Sequence, residues 1–265
     1  MYATTYYAAT SLDDAVAKLK SDEDAKFLAG GQTLIATMKQ RLAAPTILID
    51  VTKIPELKGI AVEGDRLVIG AASKHSEVSM SSVVKGAIPS LSGLAATIGD
   101  PAVRNMGTMG GSLANNDPAA DYPAAAMALD AIFTTTKGTY SAADFFTGIF
   151  ETALAEDEIL VKISYQVPRK AAYEKFRNQA SRYSLCSVFV AQLADGPRVA
   201  VTGSGNNGVF RVPEMEAALA ADWSPAAVTS VKIDPDTMLS DMHGSAEYRA
   251  HLVPVLAGRA VTKAG

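Results

Sequence analysis

The chain has 265 residues, of which 48% are hydrophobic and 20% charged, a composition that is ordinary for a globular protein with one large core or two modest ones. Its formal net charge of −4 gives no basic surface for nucleic acid or an anionic membrane. No apolar run approaches the ~20 residues of a membrane span, and the first residues, Met1–Tyr7, do not resemble a secretory signal. We therefore expect a cytoplasmic protein without a transmembrane segment.

Cys186 is the single cysteine, so an intrachain disulfide is impossible. An iron–sulfur cluster needs about four cysteine ligands and a structural zinc site needs several Cys or His. The three histidines are scattered: His75 lies in a polar helical stretch and is expected to be exposed, while His243 and His251 have no partners nearby in the sequence. We expect no metal site and a buried Cys186, so an organic cofactor must carry any redox chemistry.

The first part of the chain alternates predicted strands and helices. A capping box at Ser11–Asp14 starts the first helix, and a β–α–β unit places Gly30 and Gly31 at a strand-to-helix junction. The elements predicted up to residue 170 are a helix over 12–20, a strand over 26–29, a helix over 33–42, a strand over 46–51, a hairpin over 59–69, helices over 76–84, 88–98 and 119–129, a hairpin over 131–140 and a strand over 159–165.

After residue 170 the pattern changes to three closely spaced strands, over 173–178, 188–193 and 198–202, which predict an antiparallel meander. Helices are predicted over 213–220, 225–231 and 245–261. These elements indicate an α+β protein with a first domain over 1–170, divided into subdomains over about 1–55 and 56–170, and a second domain over 171–265.

Two glycine-bearing segments, Leu28–Thr33 and Asn105–Ser112, offer consecutive backbone N–H groups that suit a phosphate. The second lies within Gly99–Pro123, a long aperiodic segment rich in Gly, Pro, Asn and Asp, and such a loop is unusual unless it is functional. Close approach of the backbone to a ligand explains its glycines. Each segment alone is also compatible with a plain turn, and Thr33 with a helix cap. Together they indicate a pyrophosphate held from two sides, and hence a flavin dinucleotide.

Further polar residues have two interpretations each. Asp117 is either the N-cap of a helix that begins at Pro118 or part of the site. Asp121 either complements the helix dipole or accepts hydrogen bonds from ribityl hydroxyls or a flavin ring N–H. The segment Lys175–Tyr183 is either a solvated strand with a turn or a loop that reaches the cofactor, with Tyr183 against a ring system.

Gly203–Gly208 matches the G-x-G-x-x-G pattern of dinucleotide-binding proteins, but it follows an antiparallel strand and no helix comes directly after it. We therefore predict a plain loop there. The motifs of serine hydrolases, zinc proteases and P-loop enzymes are absent from the sequence.

The segments Ala29–Thr33 and Val103–Asp121 resemble the two flavin-binding motifs of the FAD-carrying medium subunits of molybdenum hydroxylases. Segments 144–154, 177–183 and 245–252 are also similar to that family, so the resemblance covers essentially the whole chain. Within the family it is strongest for the medium chains of aerobic carbon monoxide dehydrogenases. The paired motifs are specific for the flavoprotein family and much less so for carbon monoxide as the substrate.

The resemblance implies a two-subdomain FAD-binding fold of the vanillyl-alcohol-oxidase (PCMH) type, followed by a small C-terminal domain with a three-stranded antiparallel sheet and helices. Because neither glycine loop contains His or Cys, FAD is expected to bind non-covalently. Met106 and Met109 depart from the family pattern but leave its glycines in place. The residues that the resemblance assigns to cofactor binding are Ala29, Gly30, Gly31, Gln32, Thr33, Thr108, Gly110, Gly111, Ser112, Asn116, Asp121, Lys175 and Tyr183.

The family function implies electron transfer without a catalytic acid or base on this chain. Electrons from a molybdenum cofactor on a large subunit would pass through two 2Fe–2S clusters on a small subunit to FAD, and then to an external acceptor, with any membrane association made through the complex. The alternatives are a medium subunit of a hydroxylase that oxidises an aldehyde or an N-heterocycle, a freestanding FAD oxidase, and a non-catalytic scaffold or maturation protein.

Overall fold

A computed structural model describes residues 2–265. The first part of the chain forms a three-stranded parallel sheet in the order β1-β3-β2. The Ser11 hydroxyl accepts from the Asp14 N–H, which confirms Ser11 as the helix cap. The Asp14 carboxylate accepts from the Thr10 N–H and not from that of Ser11, so the reciprocal bond of the predicted capping box does not form. The first strand has no predicted counterpart, because its side chains are mostly exposed and show no alternation. The elements are β1 (Thr5–Ala8), α1 (Leu12–Lys20), β2 (Lys26–Leu28), α2 (Leu34–Lys39) and β3 (Ile47–Asp50).

The central part contains a five-stranded antiparallel sheet in the order β4-β5-β10-β6-β7 and a short β8-β9 ribbon. The two helices predicted over 76–84 and 88–98 are three, because the chain also breaks at Ser81, whose ψ of 126° ends the first helix and whose hydroxyl caps the second. Two further short helices lie in the segment predicted to be aperiodic. The elements are β4 (Ile60–Glu63), β5 (Arg66–Gly70), α3 (His75–Met80), α4 (Ser82–Ala87), α5 (Pro89–Ala96), α6 (Pro101–Arg104), α7 (Met109–Asn115), α8 (Tyr122–Ala128), β6 (Ile132–Thr135), β7 (Thr139–Ser141), α9 (Ala142–Phe145), β8 (Phe146–Gly148), β9 (Glu151–Thr152) and β10 (Leu160–Gln166).

The last part forms a four-stranded antiparallel sheet in the order β11-β12-β13-β14, one strand more than predicted. Helix α12 covers one face, while Tyr173, Phe189 and Ala200 on the other face join the core of the central part. Strand β12 is therefore buried along its length, and Cys186 is buried as predicted. The elements are β11 (Lys170–Arg177), β12 (Ser184–Leu193), β13 (Gly196–Thr202), β14 (Phe210–Arg211), α10 (Pro213–Ala221), α11 (Pro225–Thr229) and α12 (Ala246–Ala264).

These sheets and helices confirm the α+β class, while the domain limits at 55 and 170 stay predictions. The Gly203–Gly208 segment connects the antiparallel strands β13 and β14, with no helix directly after it, so the predicted loop is confirmed. A Cβ atom on Gly203 would lie 2.6 Å from the Ser184 Oγ, so this glycine serves close packing. Among residues 2–265, none of the helices is long and apolar enough to cross a membrane.

Candidate cofactor site

A cavity of about 680 Å³ lies where the three parts of the chain meet. Its walls come from the loop after β2, the segment around α6 and α7, and the tip of the β11–β12 hairpin. The volume is typical of a site for an organic ligand. Every residue that the sequence analysis assigned to cofactor binding lines it except Asn116: Ala29, Gly30, Gly31, Gln32, Thr33, Thr108, Gly110, Gly111, Ser112, Asp121, Lys175 and Tyr183.

The two glycine loops lie directly against each other. A Cβ atom on Gly30 would lie 2.4 Å from the Met106 carbonyl oxygen and 2.5 Å from the Gly107 Cα. A Cβ atom on Gly111 would in turn lie 3.2 Å from the Ala29 Cβ. The absence of side chains at Gly30 and Gly107 thus lets two segments that are distant in sequence form one continuous wall of the cavity.

The first loop carries free hydrogen-bond donors. The N–H groups of Gly30, Gly31, Gln32 and Thr33 donate to no acceptor within the described part of the chain. Gly31 has a φ of +71°, the left-handed conformation that glycine adopts without strain. Successive free N–H groups at a turn attract an anion, so this loop has the donor set that a phosphate requires.

The second loop differs from the expectation of consecutive free donors. The Gly110 N–H donates to the Ala71 carbonyl at 2.8 Å, and the Gly111 N–H donates to the Thr108 Oγ1 at 3.1 Å. These bonds attach the loop to the end of β5 and cap α7. Over residues 2–265, the Thr108 N–H and the Ser112 hydroxyl have no protein partner, so they are the donors that this loop leaves for a ligand.

The two methionines that depart from the family pattern leave this glycine frame intact. Met109 is buried, and the Tyr165 hydroxyl donates to its sulfur at 3.3 Å. Met106 is exposed. The unusual side chains thus point away from the contact between the loops.

Asp121 lies at the centre of a buried polar cluster. Its carboxylate is 2.8 Å from the Lys175 Nζ, and it accepts a hydrogen bond from the Tyr173 hydroxyl. Burial raises the pKa of Asp121, and the positive charge of Lys175 opposes this effect. Lys175 and Tyr173 both come from β11, and no local pattern in the sequence indicated the role of Tyr173.

The tip of the β11–β12 hairpin reaches the rim of the cavity. The Asn178 N–H donates to the Tyr183 carbonyl at 2.8 Å and closes the turn, in which Arg182 has a φ of +64°. The Arg182 guanidinium contacts the Gly99 carbonyl of the opposite wall at 3.5 Å. Tyr183 lines the cavity and is 57% exposed. The segment Lys175–Tyr183 is thus the end of a strand with a turn, and it lines the cavity, while its contact with a cofactor stays a prediction.

Two neighbouring residues have roles other than the predicted ones. Asn116 adopts a φ of +42° and donates from its side chain to the Gly148 and Glu151 carbonyls, at 2.8 and 2.9 Å. It thereby holds the β8–β9 ribbon and lies outside the cavity. The Asp117 carboxylate accepts from the Ala119 N–H at 2.8 Å. Since α8 begins only at Tyr122, the interpretation of Asp117 as the cap of a helix at Pro118 is wrong, and it caps a turn instead. Asp117 also lines the cavity, so its place in the site stays a prediction.

His75 is buried, and the expectation that it is exposed is wrong. Only 4% of its surface is exposed, it lines the cavity, and its Nδ1 is 3.2 Å from the Tyr122 hydroxyl. Burial, together with the positive charge of Arg104, lowers the pKa of His75 to about 4. Its polar neighbours in the sequence gave no sign of burial, because the residues that cover it come from distant segments.

The low pKa of His75 predicts a loss of stability in acid. The unfolded chain takes up the proton near pH 6.5 and the folded chain only near pH 4, so stability falls as the pH decreases through this interval. The contribution of His75 to this loss is about 3 kcal/mol at pH 4. Urea unfolding at several pH values should give a shallower profile for His75→Gln than for the unmodified chain. Parallel profiles would contradict this assignment.

Known proteins are similar to this chain in both sequence and fold. The family described as the FAD binding domain in molybdopterin dehydrogenase matches residues 2–170. The chain belongs to this family. It is 33% identical to the nicotine 6-hydroxylase medium subunit of Paenarthrobacter nicotinovorans, in an alignment that covers 99% of this chain and 98% of the relative. It is 34% identical to the carbon monoxide dehydrogenase medium chain of Hydrogenophaga pseudoflava, in an alignment that covers 98% of this chain and 96% of the relative. The solved carbon monoxide dehydrogenase of Hydrogenophaga pseudoflava superposes with a TM-score of 0.86 at 32% identity (99% and 97%).

The cleft of this medium subunit fits FAD by its own chemistry. The Gly30–Thr33 loop supplies free N–H donors for an anion, and a side chain at Gly30 would collide with the facing backbone. Val51, Leu57 and Ile159 give the cavity an apolar section that suits a flat aromatic ring. The chain is thus an FAD-binding subunit of the molybdenum hydroxylase family, as its sequence predicted.

Proposed function

We propose that FAD binds non-covalently in this cleft and that the subunit passes electrons from a partner chain to an external acceptor. When bound, FAD supplies redox chemistry that no side chain of this subunit provides. The observation that carries the proposal is the pair of contacting glycine loops with free N–H donors, Gly30–Thr33 and Thr108, along one cavity wall.

Each part of the cleft has a distinct task in this proposal. The N–H groups of Gly30–Thr33 and Thr108, with the Ser112 hydroxyl, hold the pyrophosphate. The ion pair of Asp121 and Lys175 provides a fixed acceptor and donor for the polar edge of the flavin or its ribityl chain. Tyr183 covers part of the ring system at the cavity rim, where an aromatic side chain can stack on it.

The names of the relatives and the single cysteine of this chain support the proposed partners. Relatives named as medium subunits or medium chains belong to multi-subunit enzymes, which implies a large and a small partner. We propose that the large subunit carries the molybdenum cofactor and oxidises the substrate. Because one cysteine cannot hold a cluster, the 2Fe–2S clusters lie on the small subunit. We place the complex in the cytoplasm.

Carbon monoxide is the first candidate substrate of the complex, since the solved carbon monoxide dehydrogenase is 32% identical to this chain and the solved quinoline 2-oxidoreductase of Pseudomonas putida is 27% identical. An N-heterocycle is the second, because the nicotine 6-hydroxylase subunit is similar to the same extent, 33% against 34%. Neither candidate requires a substrate pocket on the medium chain. The complex assembled with its own large subunit and supplied anaerobically with either compound should bleach the flavin absorbance with one of them only.

The purified subunit is expected to bind FAD and become yellow. Acid precipitation should leave the flavin in the supernatant, because neither glycine loop carries a His or Cys for a covalent bond. Absorbance spectra before and after precipitation test this. A protein that stays colourless with added FAD would contradict the proposal and favour a scaffold or maturation role, and a yellow pellet would contradict non-covalent binding.

A further inference from the structure

We infer that His75 is a positioning residue for the cofactor: its Nε2–H donates a hydrogen bond to an oxygen of the bound FAD beside Gly107, and Tyr122 fixes the tautomer that makes this possible. The inference rests on the proposed binding of FAD in the cleft. It assigns a task to a buried side chain that neither glycine motif contains.

His75 lies against the second glycine loop in the wall of the cavity. Its backbone N–H donates to the Gly107 carbonyl at 3.0 Å, and its ring packs on the same residue. A Cβ atom on Gly107 would lie 2.6 Å from the His75 Nε2, so the imidazole edge occupies the space that a side chain would need. The ring and the loop therefore determine each other's position, and His75 as a residue lines the cavity beside Gly107.

The hydrogen bond to Tyr122 selects one tautomer of His75. The Tyr122 hydroxyl is fully buried, and across residues 2–265 the His75 Nδ1, at 3.2 Å, is its single hydrogen-bond partner. If Nδ1 carried the proton, the hydroxyl hydrogen would be left without an acceptor, which is costly in a buried position. The hydroxyl therefore donates to Nδ1, and the proton of the neutral ring resides on Nε2.

The Nε2–H group then needs an acceptor. No acceptor for it exists in the part of the chain that the structure describes, although the residue is 4% exposed and lines the cavity. Phosphate and ribityl oxygens are the acceptors that FAD brings to this wall. The ring is uncharged at neutral pH, since burial and Arg104 lower the pKa of His75 to about 4, so the contribution is a directed hydrogen bond rather than an ion pair.

Two substitutions of His75 separate this role from packing. His75→Asn retains an acceptor for Tyr122 but removes the donor at the Nε2 position, whereas His75→Gln can place an amide N–H near that position. We expect His75→Asn to raise the Kd for FAD about 5- to 50-fold and His75→Gln to restore most of the affinity. His251→Asn, on the exposed face of α12, is the matched control and should leave the Kd unchanged. Quenching of flavin fluorescence on titration of the full chain measures each value.

The tautomer gives a second measurement that does not depend on FAD. Nitrogen-15 spectra of the histidine rings in the cofactor-free chain should show His75 protonated at Nε2, and Tyr122→Phe should weaken this preference. Protonation at Nδ1, or equal FAD affinity of His75→Asn and the unmodified chain, would overturn the inference. An unmodified chain that binds no FAD would instead overturn the proposed function.

Competition by ADP identifies the accepting oxygen. ADP carries the two phosphates and the adenine but no ribityl chain. If His75→Asn weakens ADP and FAD equally, the acceptor is a phosphate oxygen. If it weakens FAD alone, the acceptor belongs to the ribityl chain.

Discussion

Gly30→Ala is expected to reduce FAD affinity about 100-fold. The added Cβ atom would lie 2.4 Å from the Met106 carbonyl oxygen and 2.5 Å from the Gly107 Cα. Both are backbone atoms, so relief requires the two loops to separate. That movement displaces the free N–H groups of Gly30–Thr33 relative to the facing loop. A phosphate bound between the two loops then loses its hydrogen bonds to one of the loops. Titration of the purified chain with FAD, followed by flavin fluorescence, measures the loss.

Gly93→Ala is the matched control. Gly93 lies in α5, and a Cβ atom there meets nothing within 4 Å. The exchange should leave FAD affinity unchanged and raise the free energy of unfolding by about 0.5–1 kcal/mol. An unaltered FAD affinity in Gly30→Ala would contradict the close contact of the loops.

Gly110 is a poorer test of cofactor binding by the two glycine loops than the sequence alone suggests. A side chain there would meet the Ala71 Cβ at 2.5 Å and break the attachment of the loop to β5. Loss of FAD in Gly110→Val would therefore be accompanied by loss of stability. Gly205→Val is not a neutral control either, because a Cβ atom there would lie 2.4 Å from the Gly208 carbonyl oxygen.

Lys175→Met is expected to destabilise the cofactor-free chain by about 3–5 kcal/mol. The side chains of Lys175 and Asp121 are each 6% exposed, and their charged atoms are 2.8 Å apart. Without the lysine, the Asp121 carboxylate stays buried with only the Tyr173 hydroxyl to stabilise it. Urea unfolding of the cofactor-free and FAD-loaded chains measures the effect.

A second substitution and an exposed ion pair provide the controls. Asp121→Asn in the Lys175→Met background removes the uncompensated charge and should recover much of the lost stability. Lys20→Met breaks the Lys20–Asp157 pair, whose lysine is 63% exposed, and should cost about 0–1 kcal/mol. If Lys175→Met were as mild as Lys20→Met, the buried pair would not be an important contact of the site.

The structural elements that were predicted well from the sequence are those that form through interactions between neighbouring residues. The Ser11 cap, the turn between β4 and β5 and the long apolar run of β12 each depend on residues close together in the chain. The short helices α6 and α7 were missed because four and seven residues are too few to show a helical period. The extra helix break at Ser81 was missed, although a serine that can cap a helix could have indicated it.

The sequence by itself determined the two glycine loops and predicted a flavin dinucleotide between them, because glycines at a strand end or in a loop are local features. The resemblance of these motifs indicated the family. Only the tertiary structure decided that Gly30 touches Gly107, that Asp121 is paired with Lys175 and Tyr173, and that His75 is buried in the cavity wall. These contacts join residues far apart in the chain. Burial and pairing are properties of such long-range contacts, and no local pattern of residue types contains them.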